Sequence, residues 1–225
     1  MKKTVILSLG GSLIVPDSFD VDFLKGFKKL IESYVRKEFR FVIYCGGGRL
    51  ARDVQAAASS ICRTADEDLD WLGIHATKLN AQLIKTIFRG HAEDSIIDNP
   101  NAKLAFRKNI VVAGGWQPGW STDYDAVLTA KKLGIGKIIN MSNVDYIFDK
   151  DPKKYAGAKK IENIKWVEFI RLVGSKWKSG MNVPFDPVAA KEAQRSGLTV
   201  LIVGKDINNL ARVLDGKKFE GTTIR

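Results

Sequence analysis

Two rhythms of apolar and polar positions run along this chain. Short, nearly unbroken apolar runs at 4–9, 41–44, 108–113, 137–141 and 199–204 each stop at glycine or a small polar cluster, the pattern of strands buried on both faces. Between them, apolar residues recur at helical spacing over 19–34, 49–58, 68–88, 124–133 and 186–196. Strand, glycine-containing turn and helix repeat in that order, which predicts an α/β chain with a central, mostly parallel sheet covered by helices. In such a sheet, binding groups collect where the strands end. Smaller elements fill the rest: a short strand at 96–97, a charged flap or β-hairpin over 146–164, an amphipathic helix at 166–173, a mobile glycine-containing loop at 175–182, a helix at 208–214 and an edge strand at 221–225. No internal repeat or linker divides the sequence, so a single domain over 1–225 is expected.

Composition narrows the class. With 225 residues, 45% of them apolar, the chain can bury one substantial core, or two closely joined halves, without metal or disulfide support. Its two cysteines, Cys45 and Cys62, have neither the number nor the spacing for a disulfide scaffold or a zinc site; Cys45 ends an apolar run, which predicts burial. No apolar stretch reaches bilayer length and Met1 leads directly into a strand, so a cytoplasmic protein with no membrane partner is expected. The formal charge of +11 attracts polyanions, but its lysines and arginines are spread from Lys2 to Arg225. With no zinc-finger spacing and no aromatic RNA-binding strand, specific nucleic-acid recognition is not expected.

Candidate chemistry gathers at the strand ends. Gly10 and Gly11 follow the first strand, and Gly46, Gly47 and Gly48 follow the second, with Arg52 about one helical turn further on. Glycine lets a phosphate approach the backbone, although a glycine pair is also an ordinary tight turn. Neither turn is a P-loop or a dinucleotide fingerprint, because the required registers are missing. After the third strand come Gly114, Gly115, Trp116, Gln117, Pro118, Gly119, Trp120, Ser121 and Thr122, then Asp123 and Asp125. This arrangement suits a loop that holds a phosphorylated ligand against a helix start. Asp123 equally suits a helix cap. Asp70 and Asn80 are candidates for binding ligand hydroxyls or an amide-bearing base; their alternatives are a helix-terminal carboxylate and a solvated helix residue. Ser142 ends the fourth strand, with Phe148 and Asp151 just beyond, where an aromatic ring and a carboxylate suit a base and ribose or hydrated magnesium; Asp151-Pro152 is also a common turn, which on its own favours a structural role. Lys150, Lys153 and Lys176 are candidates to close over phosphate, or a solvated charged face. His75 and His91 specify no metal centre, and no protein-built metal site is expected.

The ordered motifs LSLGGSL (7–13), CGGGRLAR (45–52), DWLGIHATKLNA (70–81), GGWQPGWSTDYDA (114–126), SNVDYIFDKDPKKYAGAKKI (142–161), FDPVAAKEAQRSG (185–197) and GTTI (221–224) span nearly the whole chain. Together they resemble the amino-acid kinase family, on its archaeal-type uridylate kinase branch. The resemblance implies a three-layer αβα sandwich that transfers the terminal phosphoryl group of ATP, with Mg2+, to UMP. It implies Gly10 and Gly11 around the transferring phosphates, Gly47 near UMP, and Gly48 and Arg52 at the phosphate junction. Asp70 would contact the UMP ribose and Trp116, Gln117, Pro118, Gly119, Trp120, Ser121 and Thr122 would form the acceptor wall. Ser142, Phe148 and Asp151 would serve ATP, Asp186 would organise the catalytic centre, although a cap on the helix starting at Pro187 is an equally local reading of Asp186, and the assembly would be a homohexamer. An acceptor half at about 1–135 and an ATP half at 136–225 follow. Ser8 stands where bacterial members carry a lysine, Tyr146 and Phe148 stand where the family reads glycine and tyrosine, and Trp116 and Trp120 replace smaller or more polar residues. These departures leave a different small phosphate or carboxylate acceptor, or a non-catalytic nucleotide-binding storage or regulatory protein, as alternatives.

Overall fold

The computed structural model describes residues 2–152, 154–174 and 183–225. Lys153, Lys176 and the loop expected at 175–182 lie outside the described residues.

The chain opens with β1 (Lys3–Leu9), the one-turn α1 (Gly11–Ile14) and α2 (Val21–Arg36), then β2 (Phe39–Cys45), α3 (Gly48–Ile61), α4 (Asp66–Ile87), β3 (Ile110–Ala113), α5 (Thr122–Leu133) and β4 (Lys137–Met141). A small hairpin follows, β5 (Ile147–Phe148) and β6 (Lys160–Ile161), then β7 (Asn163–Ile164) and α6 (Trp166–Val173). The chain closes with α7 (Pro187–Arg195), β8 (Thr199–Val203), α8 (Ile207–Leu214) and β9 (Thr222–Ile224). One seven-stranded sheet runs in the order β3-β2-β1-β4-β8-β9-β7. Its first five strands are mutually parallel, and β9 pairs antiparallel to β8. The sheet passes without a break across residue 135, because β1 pairs with both β2 and β4.

Residues that alternate along each strand feed two apolar layers. On β1, Val5, Leu7 and Leu9 enter a layer with Phe27 and Ile31 of α2, Ile84 of α4 and Leu210 of α8. Ile6 faces the other side, with Val127 of α5, Phe169 of α6 and Ala190 of α7. A three-layer α/β/α sandwich results, and its strands read as continuous apolar runs because both faces are covered. Helix starts are set by local side chains: Asp20 accepts from the Phe23 amide ahead of α2, and Asp206 from the Asn208 amide ahead of α8. Gly134, at φ 65°, terminates α5 in the left-handed conformation.

Two local expectations are corrected. The strand expected at 96–97 is reduced to an isolated parallel bridge between Ile97 and Ala113, too short to form a ladder. The segment expected at the sheet edge, β9, lies between β8 and β7, so β7 is the edge strand. The expected flap is a real hairpin at β5 and β6, standing apart from the main sheet.

Candidate active site

A cleft of about 530 Å³ opens at the carboxyl ends of the central strands. Strand order reverses between β1 and β4, because β2 lies on one side of β1 and β4 on the other. A doubly wound sheet forms its ligand crevice at such a point. The two glycine turns meet there backbone to backbone: a methyl group on Gly11 would collide with the Gly48 amide and the Gly46 carbonyl, and one on Gly48 with the Gly11 carbonyl. Gly48 also has φ +63°, a conformation in which other side chains are strained. Buried Asn80 fixes the second turn from α4, its Nδ2 donating to the carbonyls of Gly46 and Gly47 at 2.8 and 3.1 Å. Asn80 is thus a buried clamp on the turn and not a solvated helix residue.

One end of the cleft suits anions. Helix α3 begins at Gly47 with no side chain capping it; the Arg49 amide is taken by the Val15 carbonyl, and the positive end of the helix dipole lies at the mouth. Arg52 is the single lysine or arginine among the described residues lining the cleft. On the floor, the Asp123 Oδ1 accepts from Ser8 Oγ at 2.8 Å and Asn140 Nδ2 at 3.0 Å, while Oδ2 accepts from the Asp186 amide at 3.2 Å. Ser8 therefore orients a carboxylate. Asp123 is not a helix cap; Ser121 caps α5 by accepting from the Tyr124 amide.

The loop after β3 forms the opposite wall, and side chains from other elements hold its backbone. Thr77 Oγ1 accepts from the Gly115 amide at 2.7 Å, Asp125 Oδ2 from Trp116 at 3.1 Å and Asp70 Oδ2 from Gly119 at 2.6 Å. Ser121 donates to Asp186, whose other oxygen accepts from the Val188 amide and caps α7. Asp70 Oδ1 is buried and has no donor among the described residues. Along the loop, Trp120 packs edge-on between Trp116 and Tyr124, with ring centroids 4.8 and 4.6 Å away.

This architecture can be compared with known proteins. The model of the amino acid kinase family matches residues 3–204. The chain is 34% identical to the uridylate kinase of Thermoplasma volcanium, over 100% of this chain and 98% of that one. It is 36% identical to the uridylate kinase of Pyrococcus abyssi, with 98% of each chain covered. The crystal structure of uridylate kinase from Archaeoglobus fulgidus superposes with a TM-score of 0.84 at 31% identity, covering 100% of both chains. The chain belongs to the amino acid kinase family.

In this amino acid kinase, the cleft brings together Gly10, Gly11, Gly47, Gly48 and Arg52. Asp70, Trp120, Ser121, Thr122 and Ser142 line it as well. Trp116, Gln117, Pro118 and Gly119 belong to the same loop but do not line the cavity; Trp116 reaches it through Trp120. Asp186 is buried one layer behind, in contact with Ser121. Phe148 lies in the hairpin and exposed Asp151 just after it, both outside the cleft lining. The lining also includes Gln55, Gly73, Thr77 and Asn140, which the sequence reading did not single out. Thr77 was accessible to it: seven residues beyond Asp70, it falls on the same face of α4.

Burial shapes the electrostatics behind the wall. Desolvation, with Asp186 nearby, pushes the Asp123 carboxyl up to about 6. Desolvation, with Asp123 and Asp186 nearby, pushes Asp125 up to about 8. Asp186 is also raised by desolvation. Folded protein therefore keeps protons that the unfolded chain releases near its ordinary value of 3.8. This contribution to stability is complete below that value and is lost as pH rises through about 6 and about 8. The lowered carboxyls of Asp94, Asp98 and Asp215 have the opposite sign and act in the acid range below it. The melting temperature is expected to fall between about pH 5 and pH 8.5, and Asp125→Asn to flatten the upper part of that fall. A wild-type curve rising over this interval would contradict the assignment.

Proposed function

We infer that this chain is an ATP-dependent uridylate kinase, converting ATP and UMP to ADP and UDP. The observation that carries the reading is the convergence of the two glycine turns, Arg52 and the half-satisfied Asp70 on one cleft, in a chain that matches uridylate kinases along its length. Phosphoryl transfer needs little covalent machinery once donor and acceptor phosphates are aligned and their charge is neutralised. In this reading Gly10, Gly11 and Gly48 offer backbone to the transferring phosphates while Arg52 supplies charge at their junction. Gly47 and the loop from Trp116 to Thr122 receive UMP, with the free Asp70 oxygen accepting from a ribose hydroxyl. Ser142, Phe148 and Asp151 serve the ATP side, so acceptor and donor fall on the halves before and after about residue 135. Asp186 acts by holding Ser121 and the start of α7.

The donor set fits magnesium carried by the nucleotide. No cluster of three or more histidine, cysteine, aspartate or glutamate side chains among the described residues could hold a metal ion, and Mg2+ characteristically keeps waters and substrate phosphates as ligands. With Arg52 the single described cation of the lining, the ion would supply the remaining positive charge, and Asp123, which lines the cleft, would orient its waters. No described helix is long and apolar enough to cross a membrane; a nucleotide substrate fits a cytoplasmic enzyme.

Assembly into a homo-oligomer, with a hexamer as the expected form, is supported by one face of the molecule. Helix α3 is amphipathic yet has no buried residue. Beside it, Trp71 and Leu79 of α4 are 40% and 55% exposed, and Ile61 at the end of α3 is 84% exposed. Sedimentation analysis should give a mass several times 25.0 kDa; a monomer at micromolar concentration would remove this part of the reading.

The activity itself is tested with purified protein, ATP and a panel of UMP, CMP, carbamate, acetylglutamate and isopentenyl phosphate, with product identification. UDP formation from UMP, abolished by a chelator and restored by magnesium, is expected. Turnover confined to a non-nucleotide acceptor would reject the assignment. So would binding of ATP and UMP without product, which would mark a nucleotide-binding protein that has lost transfer.

A further inference from the structure

Asp125 is a carboxyl in the apolar layer beneath α5. It is 0% exposed, and among its neighbours on that helix Ala126, Val127 and Ala130 are apolar and fully buried. Its Oδ2 makes one hydrogen bond, from the Trp116 amide, and its Oδ1 has no partner among the described residues. The groups that face it offer no compensating positive charge: Asp123 on its own helix, Asp186 at the start of α7, Asp98 ahead of β3 and the Tyr44 phenol on β2. Asp98 is paired with Lys78, and Tyr44 is hydrogen-bonded to Thr129. A half-satisfied buried carboxyl costs stability relative to an apolar residue of similar size. What it gains in return is a single bond to the loop.

That bond lies at the base of the aromatic ladder. Trp116 is the first loop residue after the Gly114–Gly115 pair, and its ring stands at 84° against Trp120, the member of the ladder that lines the cleft. Tyr124 supports Trp120 from the other side at 79°. Because Tyr124 and Asp125 are adjacent on α5, one helical turn fixes both ends of the ladder, by ring contact at one and by the buried carboxyl at the other.

We infer that Asp125 is a positioning residue for the acceptor: through the Trp116 amide it sets where the Trp116–Trp120 ring pair stands in the cleft wall. It touches neither substrate. Its effect falls on acceptor binding and leaves ATP binding and the transfer step unchanged, because the phosphate end of the cleft is built from β1, β2 and α3. The inference rests on the proposed acceptor role of this loop.

The test compares wild type with Asp125→Asn, which keeps an oxygen for the Trp116 amide, and Asp125→Val, which removes it. Two readouts are taken: UMP and ATP saturation kinetics, and amide hydrogen exchange of residues 114–121 in the ligand-free protein. Asp125→Val is expected to raise KM for UMP about tenfold, the scale of one lost hydrogen bond, with kcat and KM for ATP within about twofold. Exchange over 114–121 should quicken at least about tenfold. Asp125→Asn should restore both readouts to within about twofold of wild type. The inference is overturned if the valine variant keeps wild-type exchange and KM, if KM for ATP rises equally, or if the asparagine variant is impaired as severely. Asp125→Leu replaces the valine variant should that one not fold; failure of both to fold would make the role structural and also overturn it. Exchange is read without substrate, so a wild type inactive on UMP would reject the uridylate kinase reading and leave the loop-positioning claim to be decided by exchange alone.

Discussion

The site depends on one close approach, the packing of the turn after β1 onto the turn after β2. Gly11 and Gly48 meet backbone to backbone with no room for a side chain on either. Parallel strands leave their ends side by side, but separated by whatever side chains the turns carry. Removing those side chains lets α1 and α3 begin within one cleft, so that the positive end of α3 and Arg52 share a mouth with the end of β4. Asn80 then holds the second turn from α4. The geometry that suits phosphate is in this sense a packing solution first.

Charge is distributed unevenly around that contact. The mouth carries Arg52, whereas the floor and the wall behind it carry Asp123, Asp125 and Asp186, raised by burial. Ser8 and Asn140 are neutral and engage Asp123 from below. A serine at this position brings no positive charge to the cleft, where Arg52 is the single lysine or arginine among the described lining residues. The buried acids instead fasten the loop after β3: Asp186 to Ser121, Asp125 to Trp116. Rigid support of this kind limits the ordering that substrate binding would otherwise require.

Much of this was legible in the sequence, for identifiable reasons. The strands of the parallel block are covered on both faces, so their apolar runs stand out, and the glycine turns mark where they end. The Pro187 after Asp186 signals a helix start, and Asp186 does cap α7. What stayed hidden depends on partners distant in the chain. Asn80 looked like a solvated helix residue because the carbonyls it clamps lie 33 and 34 residues away. Asp123 stayed open between a ligand loop and a helix cap because sequence cannot show Ser8 and Asn140 beneath it. The placement of β9 inside the sheet follows from its antiparallel pairing with β8 and from β7 pairing outside it, contacts that three apolar and threonine residues do not encode locally. Phe148 and Asp151 were grouped with Ser142 by proximity in sequence; in the fold they belong to the β5–β6 hairpin, outside the cleft lining.

The claim that two abutting glycine turns form one phosphate-binding mouth is tested most directly by a crystal structure with a non-hydrolysable ATP analogue and UMP bound together. The account predicts the terminal phosphate of the analogue and the UMP phosphate facing each other between Gly10–Gly11 and Gly47–Gly48, with Arg52 in contact with at least one of them. A structure in which the two phosphates meet elsewhere on the molecule, or in which the turns separate to admit them, would contradict it.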